Sequence, residues 1–158
     1  MKKRGPRTAV QIPSGKHPKS LSPTTLNKQP HTTYSADPMK MTPSWRIALA
    51  QIVDPWGWHG LDADGLMSIR VKLSEYEAKT WNEILVKQCH FNHRIECHKL
   101  CREAQNRLAE LGLDDIEQLI SLRLGSCERV WGILNYNVLD LLWWDPDHLV
   151  YPVFKQHT

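Results

Sequence analysis

Long apolar runs are missing from this chain. No stretch approaches the roughly 20 apolar residues of a membrane helix, and none follows the basic N-terminal residues as a signal peptide requires. There is no Gly-rich phosphate loop, no G-x-S-x-G, no heptad pattern and no internal repeat, which argues against P-loop, serine-hydrolase, coiled-coil and solenoid architectures. Cysteine is sparse: Cys89, Cys97, Cys101 and Cys127, without an export signal, read as reduced thiols of a cytoplasmic protein. Acid is scarce at one end. Residues 1–43 hold eight Lys or Arg against the single acid Asp37, a net +7, whereas residues 44–158 carry −4. The same segment holds seven of the ten prolines and none of the seven tryptophans, so it has little apolar surface to offset its ordering entropy.

The expected organisation is therefore a disordered basic leader over 1–43 and one folded domain over 44–158. A leader this basic and hydroxyl-rich also suits an organellar transit peptide, but prolines interrupt it. Met39 and Met41 stand just ahead of the domain, and a start codon assigned too early would explain the leader.

Within the domain, Trp45–Val53 reads as a strand bounded by Asp54-Pro55, and the Pro/Gly-containing segment 54–60 as a loop whose Trp56 and Trp58 either fold over the core edge or present a contact surface. Asp62 is a plausible N-cap for a helix carrying Leu66, Ile69, Leu73 and Tyr76, with Leu61 and Leu66 as a staple. Trp81, Ile84 and Leu85 either extend that helix or form a separate turn. A second helix follows from the stripe Cys97, Leu100, Cys101, Ala104, Leu108 and Leu111, ended by Gly112 in a Schellman motif. From Ile120 the period becomes two. Strands are expected over 120–124, 129–134 and 138–144, with turns at Gly125-Ser126 and 135–137, and a short edge piece over 149–154. The apolar run Val138–Trp144 suits a central strand buried on two sides. The fold expected is α+β: β-α-α-β-β-β, with two helices on one face of a small antiparallel sheet.

Three cysteines and three histidines crowd into residues 89–101. Cys89, His93, Cys97 and Cys101 recur every fourth residue, but on one straight helix they would span about 18 Å and cannot close around zinc. They are metal candidates only if the helix breaks; otherwise Cys97 and Cys101 are small core residues. No cofactor is expected.

If Ile120, Leu122 and Leu124 face the helices, Arg123 faces away. Arg129, near its strand end, is expected to join it, with the tail from His148 to His157 folded across. Two guanidiniums then suit phosphate oxygens, and an imidazole from the tail, with His148, Lys155 and His157 clustered there, suits general acid/base work beside Arg129. The plainer reading pairs the arginines with Glu128 or Asp140.

The stretches Ser121-Leu-Arg-Leu, Glu128-Arg-Val-Trp-Gly-Ile, Leu141-Leu-Trp-Trp-Asp-Pro-Asp-His and Lys155-Gln-His-Thr, preceded by Asp54-Pro-Trp-Gly-Trp, resemble a group of small uncharacterised bacterial proteins. More distantly, the element order and polar tail are similar to RelE/ParE-type toxins. That resemblance implies a toxin of a toxin–antitoxin or mobile-element system: an endoribonuclease cleaving messenger RNA on the ribosome, with Arg123, Arg129, His148, Tyr151, Lys155 and His157 as site residues. It also implies a protein partner, an antitoxin or a target, and no membrane. The alternative is a non-catalytic protein-binding module of ParE type. The −4 of the domain favours it, because phosphate contacts call for positive charge.

Overall fold

The strands beyond residue 117 are apolar on both faces, and that decides the layering. The computed structural model of the protein describes residues 36–152. The chain forms β1 (Ser44–Arg46), α1 (Ala63–Glu77), β2 (His93–Glu96), α2 (Arg102–Glu110), β3 (Gln118–Arg123), β4 (Arg129–Asn135) and β5 (Val138–Asp145). One five-stranded sheet has the order β1-β5-β4-β3-β2. The β2–β3, β3–β4 and β4–β5 pairs are antiparallel and β1 runs parallel to β5. The fold is α+β with a mixed sheet, which corrects the expected antiparallel one.

The helices are also not on one face. Ile120, Leu122, Val130, Leu139 and Leu141 pack with Tyr76 of α1 and with Trp81, Ile84 and Leu85. Leu119, Trp131, Ile133, Leu142 and Trp143 pack with Leu100, Ala104 and Leu108 at α2. A sheet apolar on both sides must be covered on both. Trp143 is fully buried on the α2 side, while its neighbour Trp144 packs against the α1-side core. The loop with Trp56 and Trp58 folds over the core edge: the Trp56 ring lies 5.3 Å from that of Trp143, tilted by 53°, and Trp58 Nε1 donates to Leu142 O at 3.2 Å.

Local capping follows the sequence. Asp62 accepts from Gly65 N at 2.7 Å, although Leu66 is 54% exposed and makes no staple. Gly112 adopts φ +66°, and Leu113 N donates to Leu108 O at 2.8 Å, completing the Schellman end of α2. Residues 81–87 form a separate buried turn with π-helical geometry at Glu83–Lys87.

Four boundaries differ, each because a tertiary bond claims the backbone. β1 stops at Arg46; the chain turns and rejoins β5 through Gln51 N to Leu142 O and Trp144 N to Trp56 O. The helix expected from Cys97 begins only at Arg102, since Cys97 N donates to Glu117 O and Cys101 N to Val150 O. The residues before it form β2, a strand the helical spacing had hidden. No strand forms over 149–152; Val150 instead plugs the α2-side core. Finally, the compact unit begins at Ala36 and not at 44. Trp81 N donates to Met41 O at 3.0 Å, Tyr136 OH to Ala36 O at 2.6 Å, and Met39 packs on the core. Residues 1–35 of the expected leader lie outside the described residues. No helix among the described residues is long and apolar enough to cross a membrane.

Gly132 marks the tightest strand contact. β5 carries one extra residue where Trp131 pairs with Trp143 but Gly132 with Leu141. A Cβ at Gly132 would lie 2.5 Å from Asp140 O and 2.8 Å from Leu139 Cγ. Gly132→Ala should therefore destabilise the protein by about 1–3 kcal/mol, as overpacking does. The measurement is urea denaturation, where the midpoint falls with the slope unchanged.

Candidate anion site

Strand register brings charge to one end of the sheet. Arg123 pairs with Arg129, and Arg129 with Asp145. One row away His93 pairs with Ser121, Ser121 with Trp131 and Trp131 with Trp143. Paired residues and residues two apart share a face. The row therefore stands on the α2 side, where Trp131 and Trp143 are buried. Of the two helices, only α1 covers the face opposite the arginines.

Asp145 is fully buried and acts as a clamp. Its carboxylate accepts from Trp131 Nε1 at 3.3 Å, Leu149 N at 2.9 Å and Val150 N at 3.0 Å. These bonds fold the chain sharply after β5 and hold His148 in a left-handed conformation, φ +59°. Such a conformation is uncommon for a residue with a Cβ and persists where surrounding contacts impose it.

Arg129 is only 8% exposed. Its Nη1 donates to Glu128 O at 2.9 Å and lies 3.4 Å from Ser126 O. Among the described residues no carboxylate makes an ion pair with it. Burial, then the like charge of Arg123, lower its pKa from the ordinary value; the Asp145 charge acts weakly in the other direction. A guanidinium nevertheless stays protonated.

Arg123 is held by its backbone. Its N–H donates to Asn92 Oδ1 at 2.9 Å, and its carbonyl accepts from Tyr76 OH at 2.7 Å. Tyr76 OH also lies 2.9 Å from Asn92 Oδ1, so one hydroxyl proton is shared between two acceptors. Burial raises the Tyr76 pKa. The Arg123 side chain donates from Nε to Gly125 O at 2.8 Å and lays its guanidinium 5.3 Å from the Phe91 ring centroid.

The ion pairs expected for these arginines with Glu128 or Asp140 are absent. Asp140 is buried and belongs to β1 instead: Arg46 Nε stands 3.1 Å from Oδ1, in ion-pair contact but off the line of a hydrogen bond. Asn135 Nδ2 donates to Oδ2.

Two imidazoles, His93 and His148, feel the charge of Arg129. The His148 pKa is lowered first by burial and then by the Arg129 charge, with His93 and Arg123 adding to it against a raising effect of Asp145. His93 is exposed to solvent on the open side of β2; its pKa is lowered by partial desolvation, then by the charges of Arg129 and His90. Both rings are therefore biased toward the neutral form.

Of the residues singled out from sequence, Arg123, Arg129 and His148 come together. Tyr151 does not join them: it packs against the α2-side core, in electrostatic reach of Lys99. Lys155 and His157 lie outside the described residues. His93 and Asp145 were missed. His93 looked like part of a helical Cys/His repeat, and Asp145 like the first residue of an ordinary turn. The repeat itself is dispersed over a turn (Cys89), a strand (His93), a 3₁₀ turn (Cys97) and the residue before α2 (Cys101). Among the described residues no three His, Cys, Asp or Glu side chains converge as metal ligands. Burial raises the Cys97 thiol pKa, as for a small core residue.

Comparison with family models, with curated proteins and with solved structures found no match to this chain.

Two outcomes follow from the geometry. Asp145→Ala orphans three donors and should destabilise the fold by roughly 3 kcal/mol, measured by thermal unfolding, because hydrogen bonds to a charged acceptor are the strong ones. The histidines govern a pH effect. Their pKa values are below 6.5 when folded and return to it on unfolding, so the unfolded state binds more protons. Their contribution is complete above pH 6.5 and lost as pH falls from there toward the folded values. Arg129→Met should raise both imidazole pKa values in an NMR titration and flatten this part of the stability profile; unchanged values would mean that Arg129 does not face the rings.

Proposed function

We propose that the cluster of Arg123, Arg129, His93 and His148 binds a phosphodiester and cleaves RNA by paired imidazole chemistry, as a toxin-like endoribonuclease. One observation carries the reading: a buried guanidinium with no carboxylate ion pair among the described residues acts electrostatically on two imidazoles, His93 and His148, whose pKa values are both lowered. A buried charge usually has a partner. A phosphate oxygen would supply one, and the planar fork of arginine suits it.

In the reaction one neutral imidazole takes the proton of a ribose 2′-hydroxyl. The 2′-oxygen bonds to phosphorus while the bond from phosphorus to the 5′-oxygen breaks, and the other imidazole, protonated, gives its proton to that leaving oxygen. The products are a 2′,3′-cyclic phosphate and a 5′-hydroxyl. Arg129 holds the non-bridging oxygens, whose charge grows in the transition state. His148 and His93 are the catalytic pair, and Asp145 is a positioning residue acting through the turn. The toxin character rests only on the sequence resemblance to RelE-type proteins, whose expected element order differs from the one observed, with β2 between the helices and a helix on each face. It brings with it a cytoplasmic site of action and a protein partner, an antitoxin, that covers the arginine end of the sheet.

The second reading, a non-catalytic protein-binding module of ParE type, is favoured by the net −4 of residues 44–158. Cleavage separates the two. The full chain is incubated with a short single-stranded RNA and with its 2′-deoxy counterpart, and the ends are mapped. RNA alone should be cut, leaving cyclic phosphate. The rate should follow a bell whose maximum lies below pH 6.5, since one depressed imidazole must be protonated and the other not. His148→Ala or His93→Ala should lower the rate about 10²- to 10⁴-fold. Intact RNA at every pH, or full activity in both histidine variants, would sink the nuclease reading and leave the binding module.

A further inference from the structure

A cleft adjoins Arg123 and is unlike the anion site in character. It has a volume of about 310 Å³ and lies between α1 and the turn before β2, lined by Tyr76, Lys79, Phe91, Asn92 and Arg123 among others. Phe91 projects into solvent: its side chain is large, apolar and 51% exposed. One side of its ring faces the Arg123 guanidinium, 5.3 Å from the centroid. Lys79 sits 5.7 Å over the Tyr76 ring and makes no carboxylate ion pair among the described residues, whereas Lys72 at the rim is held by Glu75 at 2.7 Å.

The floor of the cleft is rigid and already satisfied. Asn92 is buried, with its side-chain oxygen taken by Tyr76 OH and Arg123 N, and its Nδ2 lies 3.4 Å from Ile84 O. The floor thus presents no unmet polar group that would select a particular ligand edge. What remains available is an aromatic face, a guanidinium plane and a lysine. Flat π-systems carrying negative charge nearby suit that combination, because bases stack on aromatic and guanidinium planes regardless of their sequence.

Continuity with the anion site is covalent. Phe91 and Asn92 directly precede His93, and Arg123 pairs across the hairpin with Arg129. Arg123 is therefore the wall shared by the two. We infer that this cleft is a nucleobase subsite, in which a base of single-stranded RNA stacks on Phe91 while its backbone phosphate reaches Arg129. This rests on the ribonuclease reading and adds to it a preference for unpaired RNA with little discrimination among bases. A paired base is engaged in its own stack and does not offer a face to Phe91.

The test uses the full chain carrying His148→Ala, so that RNA is bound but not cut. Binding of a short fluorescent single-stranded RNA, and of an abasic RNA of the same length, is followed by anisotropy at fixed salt. Phe91→Ala and Phe91→Leu should each weaken the intact RNA roughly 5- to 150-fold, the loss of one stacked base. Phe91→Trp should restore it, and the abasic RNA should bind all three variants alike. Leu keeps apolar bulk without a π face, so binding as tight as with Phe would overturn the subsite. Equal loss on the abasic RNA would overturn it too, since Phe91 would then be acting through the phosphate site. If the unsubstituted Phe91 protein binds and, with His148 restored, cleaves RNA while Phe91→Ala does both equally well, only the subsite falls. If no RNA binds at all, the nuclease reading falls and the subsite with it.

Discussion

Asp145 ends β5 with a carboxylate that has no access to water and accepts three N–H donors. One comes from an indole that is itself sealed in the α2-side core, so the clamp is formed only when the core is packed. The other two come from the backbone that follows, so the chain can leave the sheet in only one direction. Everything notable at this end hangs on that constraint. Val150 is driven into the core, where its carbonyl accepts from Cys101 and fixes where α2 begins. His148 is pinned at positive φ between the acceptor Asp145 and the first backbone donor, Leu149 N. A tight turn of Asp, Pro, Asp and His would otherwise be free to splay, because short polar turns on a surface have little to hold them.

The same end shows how a sheet that is covered on both faces still presents polar chemistry. Five residues from each face of the meander enter the core, and charge is left to the margins: Asp140 against Arg46 of the edge strand β1, and the last row of strand pairs. Arg123 and Arg129 occupy that row side by side. Like charges directly opposite one another on neighbouring strands are destabilising. Here each guanidinium takes its own carbonyls of the turn between the strands, Arg123 that of Gly125 beside Phe91, Arg129 those of Ser126 and Glu128. Backbone carbonyls, not carboxylates, take the donors. That choice leaves positive charge at this end, which adds to desolvation in lowering the pKa values of His93 and His148.

Much of this was legible beforehand. The three C-terminal strands, their turns, the Asp62 cap, the Gly112 end of α2 and the meeting of Arg123 with Arg129 follow from period, capping chemistry and alternation. What was hidden was set by contacts distant in sequence. Val138–Trp144 reads as buried on two sides, but only the assembled sheet shows that the second face needs a helix of its own. The stripe from Cys97 to Leu111 is apolar at helical spacing throughout. Yet Cys97 and Cys101 give their N–H groups to Glu117 and Val150, and the helix starts late. His93 escaped notice for the same reason: spacing of four suggested a helix, and a strand paired with β3 was made instead. Met39 and the residues around it looked like part of a Pro-rich leader by composition. Their contacts are with Trp81, Tyr136 and Asn137, which composition does not see.

The acidity of the domain and the positive site are compatible because they act over different distances. A net charge spread over an aqueous surface is screened beyond about 8 Å at physiological ionic strength. A guanidinium with little water around it acts on its neighbours through a far lower effective dielectric. The acids are also engaged elsewhere: Glu75, Glu83, Glu96 and Glu110 neutralise lysines or an arginine on the helices and turns, and Asp140 is committed to Arg46. None of these pairs includes the two arginines at the sheet end. For a purely structural purpose an apolar side chain of similar bulk would serve as well at position 129, since a buried charge without a carboxylate contributes no net stability over packed hydrocarbon. An arginine held there by carbonyls, its charge acting on two imidazoles with lowered pKa values, is the arrangement on which the proposed binding of an external anion rests.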